Sequence, residues 1–242
     1  MIFDIIAKSS GFTPKDLSGL VMWLDGADRF SMFTGTYADR LISTTNPTSD
    51  GDLLCRWEDK SGSSNNALCN SDDRRASYAS IATLNGKTGN TTGGSTAGGW
   101  YHPRLIAGPK TWFIVHKYNG ATPLYGALCG HADTYMDLAI SSNVSWRLSL
   151  VRAQRAWHDS GFTQGTSPRL YRVVFNGNNS TFWTTVDSVE TQRQTLGTIG
   201  TAPKGDSLTL PGQYYEVAVF NRILTASEIG MMNAYIKTKW NI

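Results

Sequence analysis

Aromatic residues close to charged ones are the part of this chain best suited to chemistry. Trp100-Tyr101-His102 ends a glycine-rich stretch, and Arg155, Trp157 and Asp159 lie together further on. Flat aromatic faces stack on the C–H groups of a pyranose ring, and charged forks bind its hydroxyl groups. We therefore predict a carbohydrate-binding set from these six residues. The competing interpretation, which we favour because large aromatic residues dominate cores, is that they are core aromatics and a solvated hairpin face.

The acidic residues predict no catalytic site. A retaining glycosidase needs two carboxyl groups about 5 Å apart across the scissile bond, which a Glu-x-Asp-type strand motif supplies. None of the four glutamates has a carboxylate at i+2 or i+4, and we find no Gly-x-Ser-x-Gly elbow. We predict a protein that is not an enzyme. The remaining alternative is a glycoside hydrolase whose acid pair comes from separate loops.

No cofactor or metal is predicted, although aspartates come in pairs that could bind calcium. None of the pairs has the spacing of a known calcium loop, so we expect solvated turn residues. The pairs are Asp25 and Asp28, Asp50 and Asp52, Asp72 and Asp73, and Asp133 and Asp137.

The three cysteines, Cys55, Cys69 and Cys129, are an odd number without CxxC spacing. They signal neither a complete disulfide set nor a structural zinc site. One Cys55–Cys69 bridge stays open, but we favour three reduced, buried thiols.

The composition is typical of an all-β protein. The chain has 242 residues, of which 24 are glycine and 17% are charged, against about 25% in an average domain. The net charge of +3 is too small to predict nucleic acid or an anionic membrane as the main partner. No segment approaches the roughly 20 apolar residues that span a bilayer. The first residues are too short an apolar run for a secretory signal, so we expect synthesis in a cytoplasm.

The end of the chain predicts a strand followed by an amphipathic helix. Residues 213–220 alternate as a strand does, which places Tyr215 on one face with Val217 and Val219, and Tyr214 on the other. Thr225 and Glu228 have the spacing of a capping box. The apolar residues that follow recur at helical spacing: Ile229, Met232, Ile236 and Trp240.

Short strands separated by turn residues are predicted through the rest of the chain. We expect the stretch from Asn85-Gly86 to Gly99 to be an exposed loop, and residues 171–175 and 182–186 to form a hairpin. Eleven strands with one terminal helix indicate two antiparallel sheets packed face to face. The predicted strands cover residues 20–24, 53–57, 65–69, 111–118, 124–129, 135–140, 145–151, 170–176, 181–187, 208–210 and 213–220.

Four motifs, in their order and spacing, resemble the concanavalin A-like lectin/glucanase superfamily, in its laminin-G-like jelly-roll branch. They are Gly19-Leu-Val-Met-Trp-Leu-Asp25, Trp57-Glu-Asp-Lys-Ser-Gly62, Thr111-Trp-Phe-Ile-Val115 and Tyr171-Arg-Val-Val-Phe-Asn-Gly177, followed by the strand-and-helix ending. The resemblance implies a two-sheet antiparallel jelly-roll β-sandwich over residues 19–242, with a C-terminal amphipathic helix. It implies core and turn roles, and no catalytic role, for Trp23, Asp25, Trp57, Asp59, Gly62 and Trp240.

Residues 1–18 are predicted to form an N-terminal arm. Ile2, Phe3, Ile5 and Ile6 have no obvious place in the sandwich, so we expect them to dock on another subunit. The alternatives are a disordered terminus or an extra edge strand.

This fold occurs in sugar binders, glycosidases and structural domains, so it alone does not fix a function. A lectin-like sandwich without an export signal suits a protein assembled in a host cytoplasm and later exposed on a particle. We therefore predict a non-catalytic structural protein of a bacteriophage virion, either a capsid decoration protein or a fibre or receptor-facing subunit. It would be a homo-oligomer that contacts other virion proteins and, in one version, cell-surface glycans. A free-standing carbohydrate-binding module is the alternative.

Overall fold

A computed structural model describes residues 11–92, 99–102, 108–120, 125–129, 138–141, 147–152, 156–163, 166–175, 180–186, 189–196 and 207–242. Within these ranges no helix has the length and apolar character needed to cross a membrane.

The described chain consists of β-strands with short 3-10 turns and one α-helix. The helix, α1, covers Ala226–Trp240. The strands are β1 Leu20–Asp25, β2 Met32–Thr34, β3 Leu53–Trp57, β4 Ala67–Leu68, β5 Ala76–Leu84, β6 Lys87–Thr92, β7 Trp100–Tyr101, β8 Lys110–Tyr118, β9 Tyr125–Cys129, β10 Leu138–Ser141, β11 Arg147–Arg152, β12 Ala156–Thr163, β13 Arg169–Phe175, β14 Ser180–Val186, β15 Val189–Leu196, β16 Ser207–Leu208 and β17 Gly212–Phe220.

The strands form a 13-stranded and a 4-stranded sheet, and every described pairing is antiparallel. The large sheet runs in the order β15-β14-β13-β8-β17-β6-β5-β3-β4-β7-β16, and its two remaining strands lie off this path, β1 paired with β17 and β2 with β3. The small sheet runs β12-β11-β10-β9. The predicted all-β class, a jelly-roll sandwich with a C-terminal helix, is confirmed. The predicted hairpin is also present, as β13 and β14.

Strand β17 lies at the centre of the large sheet, where it pairs with β8 along one edge and with β6 and β1 along the other. A β-bulge interrupts its register between Tyr214 and Glu216. The predicted faces are therefore exchanged at the bulge: Tyr214 packs with Val217 in the sandwich core, whereas Tyr215 packs under the helix. Strict alternation cannot reveal a bulge, because the extra residue shifts every side chain before it to the other face.

The predicted loop from Asn85-Gly86 onward is wrong over its first part, where β5 and β6 form a hairpin. Both turn residues have positive φ, 51° and 69°, as a type I′ turn requires. Gly89 follows in β6, and a Cβ there would lie 2.8 Å from the ring of Tyr215. The absence of a side chain at Gly89 therefore leaves room for the Tyr215 ring, so β6 can pack tightly against β17.

Among the described residues, two apolar clusters hold the fold together. One is the sandwich interior, which includes Trp57, Trp100 and Trp112 at 0–1% exposure. The other lies between β17 and α1 and includes Trp23 and Trp240. Burying side chains of this size contributes about 1.5–3 kcal/mol each, so both clusters are needed.

The helix begins and packs as the sequence predicts. The hydroxyl of Thr225 accepts a hydrogen bond from the Glu228 amide, and the Glu228 carboxylate accepts one from the Thr225 amide at 2.9 Å. Met232, Ile236 and Trp240 are buried against the sheet. The predicted capping box and apolar face are confirmed.

The second half of the predicted arm lies against the domain. Leu17 is buried in the cluster beneath α1, and the ring of Phe12 meets Tyr235 edge-on at 6.0 Å. Ile2, Phe3, Ile5 and Ile6 lie outside the described residues, and their docking role stays a prediction.

Candidate functional site

A surface groove of about 400 Å³ opens next to the loops that follow β1 and β3. It combines an aromatic ring with carboxylate, ammonium and hydroxyl groups. It is lined by Lys15, Asp28, Phe30, Ser31, Glu58, Asp59, Lys60 and Gly62.

Phe30 is the aromatic wall of the groove and is 63% exposed. It lies in a 3-10 turn, Arg29–Ser31, which Asp28 caps by accepting a hydrogen bond from the Phe30 amide at 3.1 Å. The guanidinium of Arg29 lies 4.8 Å from the ring centroid. The cap fixes the backbone of Phe30 and leaves much of its ring open to solvent.

Asp59 fixes the opposite loop. Its Oδ1 accepts hydrogen bonds from the amides of Trp23 and Ser61, both at 2.8 Å. Its Oδ2 accepts from the Ser61 hydroxyl at 2.7 Å and from the Asn65 amide at 2.9 Å. With four bonds, both oxygens are occupied, so Asp59 shapes the groove and is not free to bind a ligand. This agrees with the turn role that the resemblance implied.

Glu58 is the most accessible carboxylate of the groove, with 43% of its side chain exposed. It pairs with Arg56 at 3.1 Å, while Asp28 pairs with Lys60 at 2.8 Å. Besides Asp59, the groove therefore holds two carboxylates from separate loops, Asp28 and Glu58, together with the aromatic ring of Phe30.

Lys60 joins the groove to buried charges behind it. Its Nζ donates to Asp28 at 2.8 Å and to Asp25 at 3.1 Å. Burial lowers the pKa of Lys60, but the hydrogen bonds to the two aspartates outweigh burial and the net direction is upward. Lys60 therefore stays charged and holds the wall of the groove in place.

Asp25 links this wall to the C-terminal helix. Its Oδ1 accepts from Lys239 at 2.7 Å, and its Oδ2 faces Lys60. Burial alone would raise the pKa of Asp25, but the ammonium groups of Lys239 and Lys60 bring it below its ordinary value.

Glu216 is the deepest carboxylate, at 1% exposure. Its Oε1 accepts from Trp23 Nε1 and from the Tyr235 hydroxyl, both at 2.8 Å, and its Oε2 accepts from Trp240 Nε1 and lies 3.2 Å from Lys239 Nζ. Burial and the charge of Asp25 raise the pKa of Glu216. Three hydrogen-bond donors and the Lys239 ammonium surround its two oxygens, so each oxygen has partners within the protein. Glu216 joins strand to helix and is closed to substrates.

Three of the six predicted sugar-binding residues, Trp100, Tyr101 and His102, lie on β7 and directly after it. Trp100 is fully buried; its Nε1 donates to Asn90 at 2.7 Å, and its ring lies 6.0 Å from that of Trp57. It offers no exposed face to a sugar. His102 is also buried, 5.8 Å from the ring of Trp112. Tyr101 is half-buried in β7, opposite Ser207.

Of the other three predicted residues, Trp157 and Asp159 lie on the small sheet and Arg155 lies outside the described residues. Trp157 and Asp159 are in β12, opposite Val151 and Ser149 of β11. The structure describes the backbone of these two residues and not their side chains. Sugar binding by this set stays a prediction.

Of the aspartates considered for calcium, those described are bonded within the protein. Asp50 accepts from the Ser80 and Ile81 amides at 2.8 and 3.0 Å, and these bonds lower the pKa of Asp50. Asp52 does the same at the Ser49 amide. Asp133 and Asp137 lie outside the described residues. Within the described part of the chain, no three His, Cys, Asp or Glu side chains are grouped to hold a metal ion.

The sequence signal for the groove was present but weak. Asp28-Arg29-Phe30 is an aspartate cap followed by a lone aromatic between two strands. A capped turn of this kind leaves its aromatic residue without a core partner. The contribution of Glu58 and Lys60 depends on the meeting of two loops about 30 residues apart.

The sequence matches no protein-family model, and no curated protein matches it at a significant level. The structure is similar to domain 4 of AbnA, an extracellular GH43 arabinanase from Geobacillus stearothermophilus solved with arabinotriose. The TM-score is 0.55 at 11% identity, over 77% of this chain and 100% of that one.

Two further solved enzymes resemble the chain. A Trypanosoma rangeli sialidase has a TM-score of 0.58 at 12% identity and covers 92% of this chain. A GH54 arabinofuranosidase has a TM-score of 0.57 at 11% identity and covers 90%. The chain spans 33% of the sialidase and 59% of the arabinofuranosidase, so it matches part of each enzyme. At these identities the likeness shows the fold alone.

These comparisons contradict the prediction that the protein is not an enzyme, because solved structures with its fold are glycosidases. That prediction is wrong as drawn. The prediction relied on the absence of a pair of carboxylates along one strand. In the structure, Asp28 and Glu58 line the same groove from separate loops. The lectin-like sandwich of the predicted resemblance is a fold of carbohydrate-active proteins.

Proposed function

We propose that the protein binds carbohydrate in the groove of Phe30, Glu58 and Lys60. The observation that carries the proposal is the exposed ring of Phe30 beside groups that donate and accept hydrogen bonds. A sugar ring presents apolar C–H faces and a rim of hydroxyl groups, so a binding groove must supply both kinds of contact. The solved domain in complex with arabinotriose adds support, since it shares the fold.

The groove has polar partners for several hydroxyl groups. Glu58 accepts hydrogen bonds and Lys15 donates them, and the Ser31 carbonyl holds the Glu58 backbone by accepting from its amide at 2.7 Å. Lys60 is held by two aspartates, so it is positioned before any ligand arrives. A prepositioned donor loses less side-chain entropy on binding than a mobile one.

The test is the removal of the ring. We expect Phe30→Ala to weaken binding of the best glycan in an array by about tenfold or more, measured by calorimetry, because the stacking face is lost. Ile81→Ala is the matched control, since Ile81 is equally apolar and 79% exposed, and it lies outside the groove. Equal binding by wild type and Phe30→Ala would refute the groove as the site.

A glycoside hydrolase is the second candidate, favoured by the two carboxylates in the groove. Glu58 would act as one member of the acid pair and Asp28 as the other. The test uses arabinan, sialosides and 4-nitrophenyl α-L-arabinofuranoside as substrates. Activity that falls by at least about 100-fold in Glu58→Gln would support this role. An absence of hydrolysis across these substrates would reject it and leave binding intact.

The setting in a bacteriophage virion is a proposal that rests on sequence. Its support is the apolar run at residues 2–6 and a lectin-like domain, which together suit a homo-oligomeric particle subunit exposed to cell-surface glycans. Deletion of residues 1–10 should abolish incorporation into particles and leave the circular dichroism spectrum unchanged. Normal incorporation of the truncated protein would reject docking through this segment.

A further inference from the structure

Two cysteines face each other across neighbouring antiparallel strands. The register of β3 and β4 pairs Trp57 with Ala67 and Arg56 with Leu68, so the next pair is Cys55 and Cys69. The Cys69 amide donates to the Cys55 carbonyl at 2.9 Å, which continues the ladder by one step. Directly opposed residues in such a pair have Cα atoms about 5.5 Å apart. Disulfides need about 4.4–6.8 Å.

The two thiols also share their surroundings. Both residues are buried, at 0% and 2% exposure, and both belong outside the large sandwich core. Residues opposite each other on paired strands point to the same face of the sheet. Burial, and then the proximity of Cys55, raise the pKa of Cys69 to about 11. The thiols are therefore near neighbours and react slowly in the folded state at neutral pH.

We infer that Cys55 and Cys69 form a cross-strand disulfide whenever the protein folds in the presence of a disulfide oxidant. Oxidised glutathione supplies the two electron-accepting sulfurs. One thiolate attacks it and releases reduced glutathione; the second thiolate then displaces another reduced glutathione and closes the Cys55–Cys69 bond. Two thiols lose two protons and two electrons, and one glutathione disulfide becomes two thiols.

The disulfide would close the loop that forms one wall of the groove. Residues 56–68 include Glu58, Asp59 and Lys60, and the bridge would tie both ends of this segment together. Closing a loop of about 15 residues removes conformational freedom from the unfolded chain. The inference is independent of carbohydrate binding, because it depends only on the strand register.

The experiment uses full-length Cys129→Ser protein, so that only this pair can react. The protein is unfolded, reduced and refolded with oxidised and reduced glutathione, and is then alkylated and digested with trypsin. We expect a linked pair of tryptic peptides, 41–56 and 61–74, detected by mass spectrometry without reduction. We also expect Tm to be roughly 5–10 °C higher than that of the reduced protein.

Cys69→Ser in the same background is the matched control and should fold without a Tm change upon oxidation. Circular dichroism verifies that each variant is folded. Two free thiols in the refolded Cys129→Ser protein would overturn the inference. Mixed glutathione adducts or disulfide-linked dimers in place of the 41–56 to 61–74 pair would overturn it equally.

Discussion

Four side chains, Trp23, Tyr235, Trp240 and Lys239, contact the buried carboxylate of Glu216. Removal of its carboxylate would leave Trp23 Nε1, Trp240 Nε1 and the Tyr235 hydroxyl without this acceptor, and Lys239 would keep only Asp25 as a carboxylate partner. We expect Glu216→Ala to lower the free energy of unfolding by about 3–5 kcal/mol, because it removes one member of a buried ion-pair network and leaves buried donors unsatisfied. Urea denaturation at pH 7 measures the change.

Glu58→Gln is the control for Glu216, since the same kind of side chain there is 43% exposed. Its unfolding free energy should stay within about 0.5 kcal/mol of wild type. A Glu216→Ala protein as stable as Glu58→Gln would show that the buried network contributes little to folding.

The sequence could not predict the role of Glu216, although it predicts its strand. Its partners are on β1 and α1, and Trp23 is 193 positions away along the chain. Spacing reveals chemistry only when partners are near in sequence, as they are for Thr225 and Glu228. The ion pair between Asp28 and Lys60 could not be predicted for the same reason, since the two residues are far apart in the sequence.

Helix α1 contains one glycine that its surroundings do not require. Gly230 lies in the helix interior, and an added Cβ would meet no atom within 4 Å. We expect Gly230→Ala to raise the free energy of unfolding by about 0.5–1 kcal/mol, because alanine restricts the unfolded chain and favours helix. The urea midpoint should rise accordingly.

Gly212→Ala is the opposite case, since its Cβ would lie 2.1 Å from the Lys117 carbonyl at a φ of 137°. That substitution should destabilise by several times the Gly230→Ala gain. A loss of stability in Gly230→Ala would contradict the open space beside the helix.

The start of α1 should make stability depend on acid. Hydrogen bonds from Arg222 and then the Thr225 amide lower the pKa of Glu228 from 4.5 to about 2. A depressed folded-state pKa contributes stability above the unfolded value of 4.5, and this contribution is lost as pH falls from 4.5 towards 2. Because the site is near the surface, we expect about 1–2 kcal/mol.

Urea denaturation of wild type and Glu228→Gln across this range isolates the contribution of Glu228. The wild-type advantage should be full at pH 7 and absent near pH 2. A difference in unfolding free energy that does not change with pH would show that the cap stabilises the helix through hydrogen-bond geometry and not through the charge of Glu228.

At the scale of elements, local patterns predicted α1 and the hairpin of β13 and β14. They also predicted strand β17, but not which face each of its side chains occupies, because the sequence does not reveal the bulge. Strands β5 and β6 were missed because the alanines of β5 and the Gly and Asn of β6 are weak strand formers. Their place beside β17 depends on Gly89, where the Tyr215 ring takes the space of a side chain.

Across the whole molecule, the class of fold was predictable and the groove was not. Turn residues and alternating apolar residues predict the antiparallel sandwich, because these patterns involve residues that are close together in the sequence. A groove forms where loops after β1 and β3 meet, and no local pattern reports that meeting. The comparisons reach the same limit, since they show the fold at 11–13% identity and leave the site to the residues of this chain.

The dependence of the sandwich on its last helix is the prediction for the molecule as a whole. Met232, Ile236 and Trp240 are at 0–1% exposure, and together they contribute about 5–9 kcal/mol through burial. That is comparable with the entire stability of a typical domain, about 5–15 kcal/mol. Removal of residues 225–242 would also strip Lys239 from Asp25 and Glu216. We expect this truncation to lose near-UV circular dichroism and to bind a hydrophobic dye, whereas a chain lacking only Ile242 keeps its signal. A truncated protein with native near-UV dichroism would show that the sheets close without the helix.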